Sequence, residues 1–110
     1  MGAHPDLLQP GTWTCALHPG PRDHGKAKPL RGAVHHVLPL GAGGQDVAAN
    51  RVTICSNGHD AAHAVMWELA NGRPAPACAP SELALAHRGV DAWVAAGGVI
   101  GQHVPLAFMG

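Results

Sequence analysis

Nine histidines and three cysteines stand among only 110 residues, and no run of histidines resembles a tag. His35 and His36 are adjacent, and His59 and His63 are four apart. On a helix, positions i and i+4 share one face, so His59 and His63 form a two-toothed clamp suited to a divalent metal. In the first turns of a helix the N-terminal end of the dipole disfavours imidazolium, which lowers both pKa values and keeps the rings available as ligands. The same end attracts anions, so a phosphate could sit beside the metal. His35 and His36 fall in a strand-like stretch, where neighbours face opposite sides, and this suits two different roles at the edge of one site. His4, His24, His87 and His103 have no partner that spacing can name.

The cysteines carry a second set of spacings. Cys15-Ala-Leu-His18 is a C-x-x-H pair, and Cys55-Ser-Asn-Gly-His59 is a C-x-x-x-H pair. Cys15, His18 and Cys55 are therefore candidates for a structural zinc, provided the fold brings them together. The alternative is three reduced thiols with Cys55 partly buried. An odd cysteine count without a C-x-x-C pair argues against a disulfide framework.

The elements that must position these groups follow from periodicity and turn chemistry. Residues 1–32 are rich in Pro, Gly and charge and predict an irregular arm with a short strand near Trp13–Leu17. Residues 33–38, Ala-Val-His-His-Val-Leu, predict a strand ended by Pro39. Gly41-Ala-Gly-Gly44 predicts a flexible loop, and Arg51–Cys55 a second short strand. Asn57 is the expected N-cap of a helix, with Asp60 three residues on, and Asn71-Gly72 the expected stop. Within that helix Val65, Met66, Trp67 and Leu69 are expected in the core. Pro74, Pro76 and Pro80 predict a stiff linker. Ser81-Glu82 opens a second helix with Leu83, Ala86, Val90, Trp93 and Val94 on its apolar stripe, closed by Gly97-Gly98. Residues 99–110 read as a short apolar tail. The division is an arm (1–32), a core (33–72) and a linker with a helical tail (73–110), all one domain.

Composition bounds the function classes. Of the 51 apolar residues 20 are alanine, three are cysteine and 28 are Val, Ile, Leu, Met, Phe or Trp, against 25 Gly and Pro. So small a core is marginal without a staple such as a metal or a partner subunit. No apolar run approaches the ~20 residues that span a bilayer. The N-terminus shows no basic and apolar pattern of a secretory signal, and a cytoplasmic location is expected. Seven basic residues balance seven acidic ones, which argues against polyanion binding by bulk charge alone.

Residues 35–63 resemble the HNH nuclease motif, the ββα-metal or His-Me finger core. The resemblance rests on His35-His36-Val-Leu-Pro-Leu, then Gly43-Gly44, then Asn50-Arg-Val-Thr-Ile-Cys55, then Gly58-His59-x-x-x-His63. The form Cys-x-x-Gly-His-x-x-x-His is similar to small phage and prophage HNH proteins of actinobacteria. Leu85–Trp93 is similar to their C-terminal helical tail. The resemblance implies an α+β fold with an irregular N-terminal arm and a C-terminal helix. It implies metal ligands at His35, His59 and His63, a general base at His36, and at Asn50 an asparagine that fixes the loop and orients that base. One divalent metal is implied, Mg²⁺ or Mn²⁺, with Zn²⁺ or Ni²⁺ as alternatives. The implied activity is DNA phosphodiester hydrolysis in a bacterial host cell, with phage packaging proteins or a second copy of the chain as further partners. Gly58 stands where many relatives carry a cysteine, and Cys15-x-x-His18 stands where they carry a second cysteine pair.

Among the cations Arg31, Arg51, Arg73, Arg88, Lys26 and Lys28, Arg51 beside Asn50 is the first candidate for a DNA phosphate contact, with Arg31 as a second. So few charges imply weak, sequence-tolerant binding or help from a partner. The competing reading is a non-catalytic zinc-binding module, or an inactive nuclease, that docks on nucleic acid or protein.

Overall fold

The computed structural model describes residues 7–8, 14–18 and 32–110. Its order is strand β1 (Leu7–Leu8), strand β2 (Gly32–His36), strand β3 (Arg51–Cys55), helix α1 (Ser56–Ala70) and helix α2 (Pro80–Ala95). Short 3-10 turns lie at Leu40–Ala42, Ala48–Asn50 and Leu106–Met109. The protein is an α+β domain. The strands form one antiparallel sheet in the order β1-β2-β3. The β2–β3 register pairs His35 with Val52 and His36 with Arg51, which fixes both histidines at the end of the sheet nearest the connecting loop.

β2 ends at His36, not at Leu38 as its apolar content suggested, because the chain bends at Val37 and Leu38. Val37 still donates its N–H to the Asn50 carbonyl at 2.9 Å. The strand expected near Trp13–Leu17 is not formed over residues 14–18, and Trp13 lies outside the described residues. A single backbone bond, from Ala16 N–H to the Thr53 carbonyl at 3.0 Å, ties that segment to β3.

α1 follows β3 without a loop. Its N-cap is Cys55, whose Sγ accepts from the Gly58 N–H, so Asn57 lies inside the first turn and does not cap it. The predicted stop holds, with Asn71 as C-cap and Gly72 at φ 78°. α2 starts at Pro80, where a missing N–H costs nothing, and the Glu82 side chain accepts the Ala79 N–H at 2.8 Å.

The buried residues form two clusters. Cys15, Val37, Ile54, Cys55, Ala62 and Leu85 lie between sheet and helices. Val65, Met66, Ala70, Ala86, Val90, Trp93 and Phe108 join the two helices to the C-terminal turn. Trp67, Leu69 and Leu83 are only partly buried, and Val94 is exposed. The tail is more than an appendage. Phe108 is fully buried and meets Trp93 edge-on, with ring centroids 5.4 Å apart.

Gly89 lets α2 approach the rest. A Cβ there would stand 2.5 Å from the Val37 carbonyl oxygen and 2.6 Å from the Met66 sulfur. Alanine is the better helix former by ~0.5–1 kcal/mol, but overpacking against a backbone carbonyl costs about 1–3 kcal/mol. Gly89→Ala is therefore expected to lower the melting temperature, as read by thermal unfolding followed by circular dichroism.

Candidate metal centre

β2 and α1 bring three histidines to one point. His35 leaves β2 toward α1 and is fully buried, and His63, one turn below His59 on α1, is also buried. One ring nitrogen from each of His35, His59 and His63 lies within 4.8 Å of the others, and this group could hold a metal ion. The rings meet edge-on, with centroids 5.3 Å apart for His35–His59, 5.2 Å for His35–His63 and 4.7 Å for His59–His63. The Nε2 atoms of His59 and His63 face each other at 3.1 Å. Two nitrogens bound at about 2.0–2.1 Å to a shared ion stand ~3.0–3.4 Å apart, so the pair already has the spacing of two ligands.

The chemistry of the donors fits the same conclusion. His63 Nδ1 lies 3.2 Å from the Phe108 carbonyl, to which it can only donate, so its proton sits there and its Nε2 lone pair points into the group. Both ring nitrogens of His35 are buried with no hydrogen-bond partner among the described residues. A buried imidazole left so would cost free energy that a cation recovers. Burial above all, then the neighbouring His63, His59, His36 and Arg88, lowers the His35 pKa from 6.5 to about 3. His63 is also lowered, again chiefly by burial, against the raising effects of the Phe108 carbonyl and Asp60. Desolvation thus favours the neutral form of both His35 and His63.

His36 leaves the strand on the other side and borders the same site. It lines, with Val34, Pro39, Leu40, Gly41, His59, His63, Ala107 and Gly110, a cavity of about 320 Å³. Its Nε2 bonds Asp46 Oδ1 at 2.9 Å. Arg51 grips the same residue, with Nε 3.1 Å from Asp46 Oδ1 and its guanidinium donating to the Asp46 carbonyl at 3.3 Å. The hydrogen bond from His36 and the charge of Arg51 hold the Asp46 carboxyl below its usual range. Arg51, expected to meet phosphate, is therefore engaged within its own loop, though its side chain stays half-exposed.

Asn50 fixes the loop between the two strands. Its Oδ1 accepts from Leu38 N–H at 2.9 Å, and its Nδ2 donates to the Leu38 carbonyl at 2.9 Å and the Gln45 carbonyl at 2.8 Å. It pins the ends of the loop between β2 and β3, and the side chain bonded to His36 is that of Asp46. The expected flexible loop is in fact a 3-10 turn with Gly43 in the left-handed region. Arg73 pairs with Glu68 at 2.7 Å, while Arg31, Lys26 and Lys28 lie outside the described residues. Cys15, His18 and Cys55 are also gathered into one buried group. Spacing did not disclose Asp46 or the Phe108 carbonyl. A lone loop aspartate has no distinguishing pattern, and any residue type supplies a carbonyl.

Comparison with known proteins returns no match, whether against family models, curated proteins or solved structures. No helix among the described residues is long and apolar enough to cross a membrane.

The lowered His35 pKa fixes the sign of a pH effect. The unfolded chain takes up a proton below about 6.5 that the folded protein refuses until about 3. Stability of the metal-free protein is therefore full above the upper value and lost as pH falls toward the lower. Urea midpoints should fall from about pH 7 to about pH 4, and His35→Leu should flatten that fall. A divalent cation should raise the midpoint at neutral pH, by ~2.7 kcal/mol at a hundredfold excess over Kd.

Proposed function

We propose that the protein is a metal-dependent endonuclease of the ββα-metal kind, acting on DNA phosphodiesters. The observation that carries this reading is the single cavity bordered by His36 on one side and by His59 and His63 on the other. A candidate base thus adjoins a candidate metal group in one space open to solvent.

His35, His59 and His63 would hold one divalent cation, Mg²⁺ or Mn²⁺, with Zn²⁺ or Ni²⁺ as alternatives. When bound, it supplies positive charge for the phosphorane and the leaving 3′-oxygen, undiminished by its three neutral ligands. His36 is the general base. Its Nε2–H donates to Asp46, which leaves the Nδ1 lone pair to take a proton from the attacking water. Asp46 is a positioning residue: it fixes the tautomer and favours the imidazolium formed as the proton arrives. Arg51 steadies Asp46 and keeps its half-exposed guanidinium at the rim, where it can meet a DNA phosphate. Asn50 holds the loop that carries Asp46.

With zero formal charge the chain offers little bulk attraction to DNA. Binding should be weak and sequence-tolerant, and DNA-packaging proteins or a second copy of the chain are the partners that could supplement it. A non-catalytic metal-binding module is the competing reading, favoured by the second buried group at Cys15, His18 and Cys55.

Nicking of supercoiled plasmid separates the two. Wild-type protein should nick in at least one of Mg²⁺, Mn²⁺, Zn²⁺ or Ni²⁺. His36→Ala should lose about 10²–10⁴ in rate while calorimetry shows metal still bound, and Asp46→Asn should show a smaller loss in kcat. Wild-type protein that binds metal but never nicks would leave the binding-module reading.

A further inference from the structure

We propose that Cys15, His18 and Cys55 form a second, structural metal site, of zinc type, with Glu82 as the outer carboxylate that orients His18. The site is separate from the histidine centre and does not depend on nuclease activity.

Three sets of contacts carry this. First, one donor atom from each of the three residues lies within 4.8 Å of the others, and all three residues are buried. Second, three backbone N–H groups are aimed at the two sulfurs. Cys15 Sγ accepts from His18 N–H at 3.3 Å and from Cys55 N–H at 3.2 Å, and Cys55 Sγ accepts from Gly58 N–H at 3.2 Å. A thiol is a weak acceptor, whereas a thiolate is a strong one, so this convergence suits anionic sulfur. Third, His18 is held from both ends. Its Nδ1 faces Cys55 Sγ at 3.2 Å, and its Nε2 lies 2.9 Å from Glu82 Oε2. Donation of Nε2–H to the carboxylate leaves the Nδ1 lone pair directed at the sulfur group, the arrangement that metal-binding histidines use.

Charge balance explains why the site can be buried. Two thiolates and one neutral imidazole around a divalent cation sum to zero, and two protons leave when the metal enters. The other oxygen of Glu82 accepts the Ala79 N–H at the start of α2, where the helix end favours a negative charge. Soft sulfur with one imidazole favours zinc over Mg²⁺ or Mn²⁺. The three residues supply three of the four ligands of a tetrahedral site. Gly58 keeps the first turn of α1 against the group, since a Cβ there would stand 3.3 Å from Cys55 Sγ and 3.2 Å from His18 Cε1.

The role follows from what the ligands join. Cys15 and His18 belong to the segment before β2, Cys55 ends β3 and caps α1, and Glu82 opens α2. Ser81 Oγ also bonds the Leu17 carbonyl at 3.2 Å. One ion would clamp the N-terminal segment to three elements of the core.

Cobalt(II) substitution of the full-length protein tests this, because sulfur-to-cobalt charge transfer arises only from thiolate ligands and not from the histidine centre. The expected result is two bound cobalt ions and a near-ultraviolet charge-transfer band. The band should survive in Cys78→Ser and in His59→Ala/His63→Ala, and fall in Cys15→Ser. Glu82→Gln should keep the band but weaken cobalt affinity about ten- to a hundredfold in competition with a chelator. Cys78→Ser and Glu82→Gln leave both candidate thiolates in place, so the test stands even if Cys15→Ser fails to fold. A wild-type protein without the band, or a band lost in Cys78→Ser, would overturn the proposal. Unchanged affinity in Glu82→Gln would remove Glu82 from it.

Discussion

A fully buried imidazole with neither nitrogen hydrogen-bonded among the described residues is the constraint around which the domain is organised. His35 sits at the centre of the sheet–helix junction in that state. Burial strongly disfavours a proton on it, and a metal is a partner that its lone pair would suit. The neighbours complete the arrangement. His59 and His63 come from the helix that packs on β2, and the Phe108 carbonyl fixes the tautomer of His63 from the far end of the chain. A small core with so many glycines and prolines gains from such a staple.

The loop between β2 and β3 shows how this junction is joined to His36 and its partners. Asn50 locks its two ends through Leu38 and Gln45, and the locked loop presents Asp46 to His36. Arg51 closes the group from β3. A histidine, a carboxylate and a guanidinium are thus held together beside a group of histidines that could hold a metal.

Much of the fold was legible because local physics dictated it. β3, the body of α1, its Asn71-Gly72 stop and the start of α2 follow from propensity and turn chemistry. The boundaries that differed were decided by other contacts. Cys55 caps α1 in place of Asn57 because its sulfur reaches the Gly58 N–H. β2 stops early because the chain bends at Val37 and Leu38, even though both are apolar. Val94, inside the apolar stripe by periodicity, ended on the exposed side because α2 buries the face that carries Leu85, Ala86, Val90 and Trp93.

The sequence by itself determined the donor types and their local pairing: His59 with His63 on one helical face, His35 beside His36, and Cys15 with His18. Those relations span a few residues and follow from helix and strand geometry. Packing brings His35 to the helical pair, and only the tertiary structure decided that Asp46 bonds His36 and that Glu82 reaches His18 across 64 positions. It also turned the apolar tail into part of the site, through a carbonyl that no side-chain pattern encodes. Contacts at such separations depend on how elements pack, and packing is set by burial of the whole chain rather than by any local motif.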